Sequence, residues 1–343
     1  MRAESRPLVV GLPGTELSDS ERAVLEQVRP AGVILFARNF ESLGQSRELM
    51  AALRDLERRP FVTTDLEGGL VNRLTRLWGD LPSAAAAAEQ GRRAVRALGE
   101  AAGGACRHLG IQLDLAPGVD LACSGACLAG QGRCLGDDPE RVVALAEVFA
   151  DGLDDWGVTG CVKHYPGLGP IPADTHDELP ALDLSERELA PQLGVFESLS
   201  ARIPVVMVAH VVVPALGDPD RPASLSRAVV DRAISLPGSP VVLSDDLEMG
   251  ALDGSGGLPE RTAAALRARI HGACVCKSFD RLEEIAEHLD ELAEDSAFDA
   301  CVAEAAARLG TLRRDVQQRA AAVPAPDPDT VEQLWERARK AVA

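Results

Sequence analysis

The sequence predicts a (β/α)8 barrel of the TIM type, an α/β fold in one domain with a helical extension at its C-terminus. Three observations carry that expectation. From Pro7 onward, short apolar runs alternate with segments of helical period, the pattern of βα units laid around a parallel sheet. Eight such runs can be placed before residue 277. The 343 residues leave room for a barrel of about 250 residues and an added tail.

The first run is Leu8-Val-Val-Gly-Leu12, and Ser18 with Glu21 forms a capping box that opens a helix through Val28. Gly32-Val-Ile-Leu-Phe36 is the second strand, followed by a helix striped with Leu49, Leu53 and Leu56, and Phe61-Val-Thr-Thr-Asp65 is the third. A longer excursion follows, with the alanine run Ala84 to Ala88 and a helix from about Arg92 to His108. Ile111-Gln-Leu-Asp-Leu115 is the fourth strand. Pro139 starts the next helix, with Val142, Ala146, Phe149 and Leu153 on one face, and Val158 to His164 is the fifth strand. Ser185 and Glu188 repeat the capping box before a helix bearing Leu189, Leu193 and Phe196. Pro204 to His210, Val241 to Ser244 and Ala273 to Cys276 complete the set. Helices from Arg281 to Asp295 and from Ala297 to Arg319 close a domain spanning 1–322. A Pro-rich linker and a helix from Thr330 to Val342 make up 323–343, either packed back or free to bind a partner.

A net charge of −18 argues against nucleic acid or an anionic membrane as partner, since either requires a basic face. No run approaches the ~18 apolar residues of a membrane span, and Met1 to Pro7 lacks the apolar core of a signal peptide. Eight cysteines scattered through a long chain read as free thiols, and the expected location is the cytoplasm. Cys123, Cys127 and Cys134 share a loop, but their spacing is not that of a metal site and no histidine lies near, so neither metal nor cofactor is expected. The chain is expected to act as a monomer.

In such a barrel the reacting groups sit at the C-terminal strand ends. Asp65 ends the third strand, Lys163 and His164 the fifth, His210 the sixth, and Asp245 follows the seventh, so all converge on one mouth. Lysine is scarce, found only at Lys163, Lys277 and Lys340. After Lys163 the chain loosens into a loop punctuated by Pro166, Gly167, Gly169, Pro170 and Pro172, which carries Asp174 and His176. A carboxylate two residues from an imidazole can fix its tautomer and leave the other nitrogen to exchange protons near neutral pH, the chemistry of a mobile general acid/base. Of the adjacent carboxylates Asp245 and Asp246, the first is expected to face the pocket and the second to cap the next helix.

These motifs together resemble the β-N-acetylglucosaminidases of glycoside hydrolase family 3, particularly the single-barrel bacterial enzymes of cell-wall recycling. The resemblance runs through Gly32-Val-Ile-Leu-Phe-Ala-Arg-Asn39, Asp65-Leu-Glu-Gly-Gly-Leu-Val-Asn-Arg73, Arg133-Cys-Leu-Gly-Asp-Asp-Pro139, Lys163-His-Tyr-Pro-Gly167, Ala209-His210, Ser224-Leu-Ser226 and Ser244-Asp-Asp-Leu247. It implies that Asp245 is a nucleophile forming a glycosyl-enzyme intermediate and that Asp174 and His176 form an acid/base dyad on a mobile loop. Asp65, Arg73, Arg133, Lys163 and His164, with His210 at the same rim, would bind the sugar, and the substrate would be a small carbohydrate or muropeptide. Where the family usually reads Lys-His-Phe-Pro-Gly-His-Gly-Asp-Thr, this chain places Leu168, Pro170 and Ile171 in the loop; Leu70 stands where arginine is common, and the stretch from Ala273 to Lys277 is short. A phosphorolytic or broader β-glycosidase, a substrate-assisted mechanism through Asp245 and Asp246, and a barrel that binds sugar without hydrolysing it stand as alternatives.

Overall fold

The computed structural model describes residues 5–172, 174–175 and 177–343. Its strands are β1 (Arg6–Gly11), β2 (Pro30–Leu35), β3 (Phe61–Thr64), a small hairpin of β4 (Leu66–Gly68) and β5 (Val71–Asn72), then β6 (Leu113–Asp114), β7 (Val162–Tyr165), β8 (Val205–Val208), β9 (Val241–Asp246) and β10 (Gly272–Val275). Eight of them form one parallel sheet in the order β6-β3-β2-β1-β10-β9-β8-β7, and β4 with β5 lies apart as an antiparallel pair. Single parallel bridges join Leu113 to Thr159 and Gly118 to Lys163. With the amides of Asp114 and Val119 donating to the carbonyls of Thr159 (2.8 Å) and Lys163 (2.7 Å), they bring β6 and β7 together and close the barrel. The predicted fourth and fifth strands are longer than the ladders observed. Beyond them, single backbone bonds from Gln112 to Val62 and from Leu115 to Thr64 continue the contact of the fourth with the third strand.

The barrel interior is filled by alternate residues of the strands, among them Val9, Phe61, Leu113, Cys161, Leu243 and Cys274. Phe61 fits because its neighbour on β2 is Gly32, where a Cβ would lie 2.4 Å from the ring. Leu309, Leu312 and Val316 of the helix Ser296–Ala322 pack onto the same interior cluster, next to the strand starts, leaving the C-terminal ends open. A second, larger apolar layer lies between the strands and the surrounding helices.

Both predicted capping boxes form: the hydroxyls of Ser18 and Ser185 accept from the amides of Glu21 and Glu188, whose carboxylates accept in return. Asp138 caps the helix Pro139–Asp154. The last helix, Pro328–Lys340, is packed back rather than free. Trp335 is fully buried and its indole N–H donates to the Gly79 carbonyl at 3.2 Å. Gly104 leaves space for Leu334, which a Cβ there would meet at 2.5 Å. Among the described residues, no helix is long and apolar enough to cross a membrane.

Candidate active site

A cavity of about 400 Å3 opens at the C-terminal ends of the strands. Its lining includes Asp65, Arg73, Arg133, Lys163, His164, Asp174 and Asp245, so seven of the sequence-predicted residues meet at one place.

One flank is a lattice of paired charges. The Lys163 ammonium, carried by β7 into the barrel mouth, lies 2.7 Å from a carboxylate oxygen of Asp65 and 2.7 Å from one of Glu67. Arg133 holds the same Glu67 with two donors, at 2.9 Å and 2.8 Å. Glu67, on β4 two residues past Asp65, is buried behind the lining, where Lys163 and Arg133 meet it. His164 donates from Nδ1 to Asp120 at 2.8 Å and offers Nε2 to Arg133 at 3.3 Å; Asp120 also accepts from the amides of His164 and Leu168. The peptide joining Lys163 to His164 is cis.

Burial pushes the Asp65 and Glu67 carboxyls up, but the cations beside them, Lys163 first, prevail and hold both below the usual carboxylate range. Burial likewise depresses the Lys163 ammonium, and Asp65 and Glu67 more than reverse it. Arg73 approaches Asp65 at 3.4 Å while its guanidinium lies 5.5 Å from the Phe36 ring centre; its Nε is buried with no hydrogen-bond partner among the described residues.

The other flank is β9. Among the described residues, the only hydrogen bond drawn to the Asp245 carboxylate is from the Asp246 amide at 2.9 Å. Burial raises the Asp245 pKa, but His164, His210 and that amide together hold it below the ordinary value. His210 lies under the cavity wall and is fully buried. Its Nδ1 meets the Ser224 hydroxyl at 2.7 Å and its Nε2 the Asp246 carbonyl at 2.9 Å, so it braces the end of β9. Asp246 is not the helix cap the sequence suggested. It ends β9, and its carboxylate accepts from the Glu248 amide at 3.1 Å in a local turn, since the next helical segment, Gly250–Ser255, begins only after Met249. Burial pushes the Asp246 carboxyl up to about 6.

His176 lies outside the described residues. Around it, the Ile171 carbonyl accepts from the Cys127 amide at 3.0 Å and the Thr175 carbonyl from the Ala251 amide at 3.3 Å, which tie the loop to both neighbouring walls. Leu168 and Ile171 are buried in the cavity lining, where the resemblance led one to expect polar side chains. Sequence reasoning gave no role to Glu67 or Asp120. Glu67 carried a signal, an acid at i+2 from Asp65 in a glycine-rich hairpin; Asp120 sits in a loop with none.

Residues 8–312 match the family model described as the glycosyl hydrolase family 3 N terminal domain. A protein named Beta-hexosaminidase from Thioalkalivibrio sulfidiphilus is 34% identical over 298 residues, covering 83% of this chain and 84% of its own length. One of the same name from Alkalilimnicola ehrlichii is 35% identical over 300 residues, again covering 83% and 84%. Among solved structures, a glycoside hydrolase family 3 β-N-acetylglucosaminidase from Paenibacillus superposes with a TM-score of 0.86 at 28% identity, over 98% of this chain and 67% of that one. NagZ from Neisseria gonorrhoeae, in complex with N-trifluoroacetyl-D-glucosamine, superposes with a TM-score of 0.77 at 25% identity, over 98% and 97% of the two chains.

Proposed function

Because the chain belongs to glycoside hydrolase family 3 and is a hydrolase of the β-N-acetylhexosaminidase type, we propose that it is a retaining exo-β-N-acetylglucosaminidase. Its substrate is a peptidoglycan fragment with a non-reducing N-acetylglucosamine, and it works in the cytoplasm in cell-wall recycling. Asp245 attacks the anomeric carbon as the bond to the leaving oxygen breaks, while His176, oriented by Asp174, gives that oxygen its proton. The same imidazole then takes a proton from water, whose oxygen displaces the Asp245 carboxylate from the sugar. A histidine in this role brings no second negative charge to the nucleophile.

The observation that carries the reading is the contrast of bonding at the cavity. Asp245, its carboxyl held below the ordinary range, accepts one hydrogen bond among the described residues, from a backbone amide, whereas Asp65 and Glu67 are occupied by Lys163 and Arg133. The paired set is suited to grip hydroxyls through the donors and acceptors left over, and the Arg73 guanidinium beside it lines the same cavity.

The test is turnover of an aryl β-N-acetylglucosaminide, followed by NMR of the first-formed sugar. We expect release of the β-anomer, in buffer with or without phosphate. A glycosyl phosphate product would instead favour phosphorolysis, and binding of N-acetylglucosamine without any turnover would overturn the enzymatic reading.

A further inference from the structure

Most of the cavity lining is buried or half-buried; its two exposed members are Leu70 and Lys277. Leu70 lies between β4 and β5 of the hairpin and is 73% exposed. Lys277 follows β10 and its side chain is 61% exposed. Being outermost, these two residues meet whatever projects from a sugar held on the floor.

The backbone beneath Lys277 is fixed. Its amide donates to Glu248 at 2.6 Å, the amide and hydroxyl of Ser278 reach the same carboxylate at 3.0 Å and 2.5 Å, and the Cys276 carbonyl accepts from Arg38 at 2.5 Å. The ammonium, by contrast, has among the described residues only a long pairing to Asp246, at 3.7 Å. A cation anchored at its base and loosely paired at its tip is preorganised to take an anion. That matters in a chain of net charge −18, whose field otherwise repels anionic substrates.

We infer that Lys277 is a specificity-determining residue of the leaving-group subsite and selects leaving groups that carry a carboxylate, with Leu70 facing their apolar part across the mouth. The inference rests on the glycosidase reading above and names the substrate chemistry that reading leaves open.

The experiment measures kcat/KM for 4-nitrophenyl β-N-acetylglucosaminide and for its analogue with a carboxylate on the aryl ring, and takes the anionic-to-neutral ratio. In Lys277→Gln the ratio is expected to fall about two- to fivefold, as for a solvent-accessible ion pair. It falls further in Lys277→Glu and is kept in Lys277→Arg. Added salt should erode the ratio of the native chain and leave that of Lys277→Gln nearly flat. The same ratio in all these proteins overturns the assignment of Lys277 while leaving the glycosidase reading intact. Turnover of neither substrate by the native chain defeats that reading and this inference with it.

Discussion

Two sets of carboxylates meet at one cavity, Asp65, Asp245 and Asp246 in its lining and Glu67 behind it, and are treated in opposite ways. Asp65 and Glu67 are clamped by Lys163 and Arg133 at salt-bridge distances of 2.7 Å to 2.8 Å. Asp245 and Asp246, at the end of β9, accept chiefly from backbone amides of their own turn. The lattice is built for position: each charge is compensated, so none is free to form a bond to carbon. The β9 pair is built for availability. Among the described residues no cation pairs with Asp245, and its carboxyl is nonetheless held below the ordinary range against its burial.

Removing one member from each side separates what the two sets do. Asp245→Ala should lower kcat on an aryl substrate by about 10⁴-fold or more, with far-ultraviolet circular dichroism and thermal midpoint close to native. Substantial residual turnover would place the nucleophile elsewhere. Lys163→Met should act on stability as well as turnover. It leaves two buried carboxylates without their shared cation, which costs about 3–5 kcal/mol in denaturant titration. Adding Glu67→Gln should recover part of that loss; no recovery would mean that the lattice is not energetically coupled.

How much of this was legible in the sequence depends on range. Asp65, Lys163 and Asp245 could be read because strand period and strand ends are local, and barrel topology turns a strand end into a place at the mouth. The capping boxes at Ser18 and Ser185 were legible for the same reason: donor and acceptor lie three residues apart. Asp120 was not, because its partners His164 and Leu168 lie 44 and 48 residues away and meet it only once the loops after β6 and β7 come together. Asp246 does not cap a helix as the sequence suggested: an Asp before Leu247 satisfies the local rule, but the extension of β9 through Asp246 depends on its pairing with Cys274 of β10. The packing of the last helix also had to wait for structure, since the Gly79 carbonyl that meets Trp335 and the space at Gly104 that admits Leu334 come from distant segments.

His176→Ala should slow substrates with poor leaving groups by about 10²- to 10³-fold and activated aryl glycosides far less, because only the former need a proton in the transition state. Equal losses on both would remove it from the acid/base role.

A pH series separates Asp246 from Asp65 and Glu67 by sign. Asp65 and Glu67 titrate below their unfolded values in the folded chain, so their contribution is complete above about pH 4 and is lost as pH falls further. Asp246 is raised to about 6, so between roughly pH 4 and 6 the folded chain keeps a proton that the unfolded chain has released, and stability falls as pH rises through that window. Asp246→Asn keeps the acceptor for the Glu248 amide and removes the titration. It should gain on the order of 2–3 kcal/mol above pH 6 and flatten the slope. A slope equal to the native one would show that Asp246 ionises as an ordinary carboxylate.

The most direct test of the central claim is to trap the intermediate. Incubation with a 5-fluoro-N-acetylglucosaminyl fluoride, digestion and peptide mass spectrometry should find one sugar esterified to the peptide that contains Val241 to Met249, with fragmentation placing it on Asp245. Rapid inactivation with the label on a different carboxylate, or turnover with no covalent adduct at any time point, would contradict the account.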